Sequence, residues 1–364
     1  MNTRSTRGTR RANGVLAGLS AVVLASAIAA CGSSSGANAG SASSGNSGGK
    51  QLTWIHGILY PKGDSGYQLM ADAKGFYTKE GVHVEIKKFV GNVQLNQALV
   101  SGAIDSGDTA PAPTYDAVLR GAHLKIIGST LPKVTYALIA KSDIKTLADL
   151  KGKTIGASAP GAYPDAVTRA MLAKKGIDPD SVKTVSAGAD AQRFKALLAG
   201  RIDAAAVSDQ FVPQAKKNPK IHVLAEAQNV VPDYPRFYIV ANGDSLKKKP
   251  EAAVHFLAGE MRGLCYAVMH PKAEQHVAAK YSKLPSDDPG VVYVQQAIAK
   301  AHAASSSAAI TMSRLKFLQN FRIQQGFQHG KVDLKTLVDS SYRQKALKLA
   351  NLPKQCLDDP NANH

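Results

Sequence analysis

Aromatic residues are scarce in this chain. They make up 6% of 364 residues, with a single Trp. Basic residues are dispersed, the densest run being Lys247-Lys248-Lys249, with no aromatics interleaved. That combination excludes the stacking platforms of single-strand nucleic-acid binders, so no nucleic-acid partner is expected. Cysteine is nearly absent as well. Three are present, at Cys31, Cys265 and Cys356, and none lies in a CxxC or Cys/His metal spacing. HExxH is also missing, and GxSxG occurs only within the Gly/Ser-rich stretch 32–49 and not near the expected site loops, which argues against the commonest zinc-protease and serine-hydrolase signatures. Neither a metal, a cofactor nor a catalytic residue set is expected.

The net charge is +18, and part of it lies outside any folded body. Arg4, Arg7, Arg10 and Arg11 stand in the first 31 residues, which hold no acid, and leave +14 on the rest. These arginines precede an apolar run, Val15–Ala30, that is marginal for a span of about 20 residues. A basic start, a short apolar stretch and small residues before Cys31 describe an export signal over 1–31. The ending Ile28-Ala29-Ala30-Cys31 resembles the bacterial lipobox, which implies a lipidated Cys31 at the mature N-terminus. An ordinary cleaved signal peptide or a retained anchor helix stays open beside it. Residues 32–49, GSSSGANAGSASSGNSGG, read as a Gly/Ser tether with no face to bury. The expected protein is extracytoplasmic and held at the outer face of the cytoplasmic membrane. In that compartment Cys265 and Cys356 are either one disulfide or two buried thiols.

From residue 51 onward, strand and helix patterns alternate with short connections. The expected strands are 52–58, 82–89, 103–106 and 124–129, and the expected helices are 67–80, 94–101 and 112–120. This predicts an α/β fold with a mostly parallel sheet covered by helices. The pattern then recurs. Gln94 to Asp105 has the form QxxxALxxGxID, and Gln192 to Asp203 has it again 98 residues later. Two copies point to two similar lobes. Two β-branched runs, 134–140 and 235–241, read as crossings between them, as in a clamshell that closes over a ligand. Expected boundaries are 51–137 and 238–350 for the first lobe, 138–237 for the second, and 351–364 for a polar tail. Expected helices over 249–269, 271–284, 288–304, 311–320 and 334–347 would pack on the first lobe.

The stretch 146–176 is the most informative. Strand 153–157 leads through Ser158-Ala159-Pro160-Gly161 into a helix from about Asp165 to Lys175. Backbone N–H groups and the positive end of the helix dipole then face the gap, which suits an anionic or carbonyl-bearing ligand.

The segments 73–86 (AKGFYTKEGVHVEI), 97–105 (QALVSGAID), 144–156 (IKTLADLKGKTIG) and 197–210 (LLAGRIDAAAVSDQ) together resemble the periplasmic solute-binding proteins of ABC importers. The nearest branch is the sulfonate, taurine, nitrate and thiamine-precursor binders, over roughly 51–260. The resemblance implies a type II-like periplasmic-binding-protein clamshell with two hinge strands. It also implies a monomer that takes a small solute and delivers it to a membrane permease. Ligand contacts are then expected at strand ends facing the cleft: His56, Gly57 and Tyr60; Thr109 and Ala110; Ser158, Gly161, Ala162 and Tyr163; Ser208 and Asp209. Those loops contain no Arg or Lys. An anion held by N–H groups and a neutral or zwitterionic solute are therefore both compatible, and an enzyme on the same fold stays a further alternative.

Overall fold

A computed structural model describes residues 51–357 and 359–361. The expected signal segment, the tether and Cys31 lie outside the described residues. The described residues form one compact unit.

Ten strands build two five-stranded sheets. They are β1 (Leu52–Leu59), β2 (Val82–Phe89), β3 (Ser106–Thr109), β4 (Leu124–Leu131), β5 (Ala137–Lys141), β6 (Thr154–Ala157), β7 (Lys183–Ser186), β8 (Ala204–Val207), β9 (Ile221–Glu226) and β10 (Phe237–Asn242). The first sheet has the order β2-β1-β3-β10-β4 and the second β7-β6-β8-β5-β9. The two orders correspond strand for strand. In each, the antiparallel fourth strand is the one that has just crossed from the other lobe: β10 lies against β3 and β4, and β5 against β8 and β9.

The sequence repeat explains the match. Asp105 Oδ2 accepts the Ile55 N–H at 2.8 Å and pairs with Lys249. Asp203 Oδ2 accepts the Thr154 N–H at 2.9 Å, and its other oxygen pairs with Lys141. Each repeat Asp thus pins its short strand to the strand beside it. Burial pushes the Asp203 carboxyl up, but the Lys141 ammonium and the Thr154 N–H outweigh that and hold it below its ordinary value. The repeat isoleucines also act alike. A Cβ on Gly57 would sit 2.6 Å from Ile104, and one on Gly156 would sit 2.5 Å from Ile202. The space a Gly57 side chain would take is thus filled by strand packing, from Ile104 and Phe89.

Several elements differ from the sequence expectation for local reasons. The helix expected over 67–80 is broken at Gly75, whose φ of 67° ends one helix and starts the next. The third strand begins at Ser106 rather than 103, because the polar run Ser-Gly-Asp-Thr is buried and satisfied by distant partners. Trp54 Nε1 donates to Ser106 Oγ at 2.7 Å, and Thr130 Oγ1 donates to Asp108 Oδ1 at 2.8 Å. The helix expected over 334–347 splits into Leu334–Leu337 and Ser340–Ala350, the second capped by Asp339. Helix Pro289–Ala301 is not confined to the first lobe. It packs on 209–216, and its Tyr293 hydroxyl donates to Glu226. The expected polar tail is docked in its described part. Cys356 is buried and bonded to Cys265, Asp359 accepts from Ser305 and Ser307, and Thr311 donates to the Asn361 carbonyl.

The first lobe carries a buried acid with a measurable consequence. Glu260 is 1% exposed, and Tyr77 donates to it. Burial pushes its carboxyl well above the usual range, with Asp108 nearby adding to the shift. The native state therefore keeps a proton that the unfolded chain loses once pH passes the ordinary Glu value of about 4.3. Stability falls as pH rises beyond that point, by up to about 1.4 kcal/mol per pH unit for one proton. Glu260→Gln is expected to raise the melting temperature at pH 7.5 and to flatten its fall between pH 5 and 8. A melting temperature at pH 7.5 at or below that of the wild type would show that Glu260 is ionised in place.

Candidate functional site

The two sheets face each other across a cleft, and every loop at its floor follows the C-terminal end of a parallel strand. From the first lobe come Leu59–Lys62 after β1, Val90–Asn92 after β2 and Ala110 after β3. From the second come Ser158–Tyr163 after β6, Gly188–Gln192 after β7 and Gln210 after β8. The crossing segments close the back. The Val134 N–H donates to the Tyr234 carbonyl at 2.9 Å, the Ala227 N–H donates to the Tyr136 carbonyl at 2.7 Å, and Arg236 Nη1 donates to the Thr135 carbonyl.

Two chambers share the cleft, of about 340 Å³ and about 610 Å³. Both are bordered by Val90, Asn92, Ala110, Ser158, Tyr163 and Ala189, so they are continuous. The inner chamber is charged. Lys62, Arg193 and Arg236 line it, with Asp190 among them. The outer one has Val93, Pro113, Pro160, Ala162, Ala166 and Tyr234 along one wall, with Asp116, Arg322, Gln94 and Gln192 also on its border. Helices Asn92–Ser101, Tyr163–Lys174 and Asp190–Leu198 all begin at the cleft, so three positive helix ends converge there.

Tyr60, Ala110, Ser158, Gly161, Ala162 and Tyr163 line these chambers. In the turn that starts the Tyr163 helix, part of the N–H supply is already spent. The Gly161 N–H donates to Asp165 Oδ2 at 2.7 Å, and the Ala162 N–H to the Ala159 carbonyl at 3.1 Å. Asp165 also receives Arg169 and Thr184, so it anchors the turn.

The remaining expected contacts do not border the cavity. His56 is fully buried, with Nδ1 2.8 Å from Ser106 Oγ, Nε2 3.3 Å from Asp108, and its ring beside Phe256. It belongs to the core of the first lobe. Thr109 is buried one layer below the cleft, where its hydroxyl donates to Asn92 Oδ1 at 3.0 Å and accepts from Asn96. It positions the start of the Asn92 helix. Ser208 and Asp209 are both 1% exposed. Burial pushes the Asp209 carboxyl up to about 7 against the pull of Arg236, and Gln228 donates to it at 3.2 Å.

Sequence reasoning missed the cations. Arg236 comes from the second crossing, Lys62 from the Pro-Lys-Gly-Asp turn after β1, and Arg193 from inside the second repeat. It also missed the loops after β2 and β7. The available signal was the repeat itself, which sets Asn92 and Asp190 at equivalent positions 98 residues apart, each the first residue of its helix.

The architecture and the chain both have known relatives. A protein of Escherichia coli named for binding aliphatic sulfonates is 31% identical over 184 residues, covering 48% of this chain and 55% of its own. The nitrate-binding protein NrtA of Synechocystis PCC 6803 superposes with a TM-score of 0.69 at 15% identity, over 86% of this chain and 92% of its own. The alkanesulfonate-binding protein SsuA of Xanthomonas axonopodis pv. citri, bound to MOPS, gives 0.67 at 17% identity, over 80% and 99%. The desulfurization enzyme DSZB shares the fold more distantly, at 0.58 and 14% identity over 82% and 99%. The family described as NMT1/THI5 like matches residues 64–274, more than half of the chain. On that match, and with this two-lobe architecture, the chain belongs to the NMT1/THI5-like family and carries the periplasmic-binding-protein fold.

Proposed function

We propose that this protein is the extracytoplasmic solute-binding component of an ABC importer, and that it captures a small organic anion between its lobes for delivery to a permease. The observation that carries this reading is the meeting, in one cleft, of three helix N-termini with Lys62 and Arg193. Aligned N–H groups and guanidinium or ammonium groups recognise sulfonate, carboxylate or nitrate oxygens without further machinery. The apolar wall of the outer chamber favours an anion that carries a carbon body. The names of the relatives, sulfonate and nitrate binders, agree with an anionic solute. A thiamine-type pyrimidine or a zwitterion such as taurine is the second reading, favoured by Asp190 inside the charged chamber.

The enzyme reading is weaker on a specific observation. Ser106, His56 and Asp108 stand in hydrogen-bonding series, as in a hydrolase. All three are fully buried, and Ser106 Oγ is already held by Trp54. No substrate carbonyl reaches that hydroxyl.

The test is a thermal-shift screen of residues 50–364 with alkylsulfonates, taurine, nitrate, aromatic carboxylates and thiamine-type pyrimidines. A ligand at 100 times its dissociation constant adds about 2.7 kcal/mol to the native state, which reads as a rise of several degrees. A rise confined to anions supports the proposal. A rise with neutral pyrimidines alone moves the assignment to the second reading, and a flat response to all of them contradicts it. Tethering through a lipidated Cys31 is part of the same proposal. Cys31→Ala is expected to release the protein from the membrane fraction, and unchanged retention would defeat the anchor.

A further inference from the structure

We propose that Asp190 is a resident substitute anion: its carboxylate takes the cations a ligand would take, and through Lys62 it links the two lobes. This rests on the reading of the cleft as an anion site. Asp190 is the first residue of the helix that begins at the charged chamber, and it lines that chamber. Its Oδ2 accepts from Lys62 Nζ at 3.1 Å, and Lys62 belongs to the opposite lobe. Its Oδ1 accepts from the Tyr136 hydroxyl at 2.8 Å and from the Arg193 guanidinium. The third cation of the chamber, Arg236, is bound by Asp64. Each cation that borders the chamber therefore already faces a protein carboxylate.

The charge of Asp190 is secure. Burial pushes its carboxyl up, but Lys62 and Arg193 outweigh that and hold it well below the ordinary range. The helix start does not need an acid. The repeat-related helix begins with Asn92, a neutral residue held by Thr109 at 3.0 Å. The acid is thus an addition to the second copy, and it is placed opposite the lysine of the other lobe.

The contact with Lys62 is built to be exchanged. The lysine side chain is 32% exposed, so water and ligand reach the pair. The lobes also meet through the Gly63 N–H, which donates to Gln210 Oε1 at 3.2 Å, and through helix Pro289–Ala301, whose Tyr293 hydroxyl donates to Glu226. An entering anion takes Lys62 from Asp190 and restores the link between lobes through itself. A solute without an anionic group gains nothing from that exchange, so the carboxylate raises selectivity while lowering absolute affinity.

The test compares three forms of the compact body, residues 50–364: wild type, Asp190→Asn and Lys62→Met. Small-angle scattering without ligand reports lobe separation, and calorimetry with butane-1-sulfonate at low salt reports affinity. Both variants are expected to have a larger radius of gyration than wild type. Asp190→Asn is expected to bind the sulfonate about tenfold more tightly and Lys62→Met about tenfold more weakly, the change produced by about 1.4 kcal/mol. The opposite signs separate this device from general loosening, which would weaken both. Unchanged dimensions in both variants would overturn the latch, and equal or weaker binding by Asp190→Asn would overturn the substitute anion. Lys62→Met replaces a partly exposed side chain, so it keeps the scattering comparison valid should Asp190→Asn fold poorly. If the sulfonate binds none of the three, the affinity comparison is made with the anion giving the largest thermal shift; a flat response to every anion removes the function proposed above and the anion half with it, while the scattering still decides the latch.

Discussion

Reduction of the Cys265–Cys356 bridge is expected to destabilise the folded body by about 4–5 kcal/mol, the loop-closure entropy of a cross-link whose ends are 91 residues apart. In a body of this size that lowers the melting temperature by roughly 5–15 °C. The structure gives the bridge this weight because of what it ties down. Cys265 lies on helix Pro250–Met269, whose core side packs on Ser65–Ala73 and Ser340–Ala350. Cys356 belongs to the chain end, which then reaches the 305–311 loop through Asp359 and Asn361. That loop is in turn bonded to β4, where the Ser305 N–H donates to Thr130 and the Ser129 N–H to Ala308. β4 leads directly into the first crossing between lobes, so losing the bridge loosens the support of the hinge as well as the chain end. Melting of wild type with and without reductant, beside a Cys265→Ser/Cys356→Ser variant, measures this. An unchanged melting temperature, or a mass that does not rise by two hydrogens on reduction, would contradict the assignment.

Ala189→Trp is expected to abolish binding, with a loss of about 100-fold or more, while leaving the melting temperature within a few degrees. Ala189 borders both chambers. It is exposed and stands just before helix Asp190–Leu198, so an indole there projects into space a ligand needs and displaces no core atom. A 100-fold loss corresponds to about 2.7 kcal/mol, which is small beside the contacts a filled cleft forfeits. Calorimetry with the anion that gives the largest thermal shift decides the matter. Normal affinity in the variant would place binding elsewhere on the molecule.

The fold was legible because its period is written twice. The QxxxALxxGxID segments carry a visible function in the sheet: the Asp receives a neighbouring strand N–H, and the Ile fills the space over a strand glycine. The crossings were legible as β-branched runs, although each strand begins two or three residues later than the run, at Ala137 and Phe237. The site was legible only in part. The turn Ser158–Tyr163 announces itself through Pro, Gly and the helix that follows. Thr109 and Asp209 stand at strand ends and so look like ligand contacts, and His56 lies inside β1, yet their side chains turn inward, to Asn92 and Asn96, to Gln228, and to Ser106 and Asp108. Nothing local in the sequence tells a His that donates to a ligand from one that is satisfied by Ser106 and Asp108. The cations escaped for the opposite reason. Arg236 reads as part of a strand and Arg193 as part of an amphipathic helix, and only the meeting of lobes brings them to one chamber with Lys62.

The most direct test of anion capture between the lobes is a crystal structure of residues 50–364 with the strongest anion of the panel. The account requires the anionic group within hydrogen-bond reach of the Asn92 and Asp190 helix starts and of Lys62, with its carbon body along Val93, Pro160 and Ala162. An anion found on the outer surface, or a cleft left empty at a saturating concentration, would contradict it.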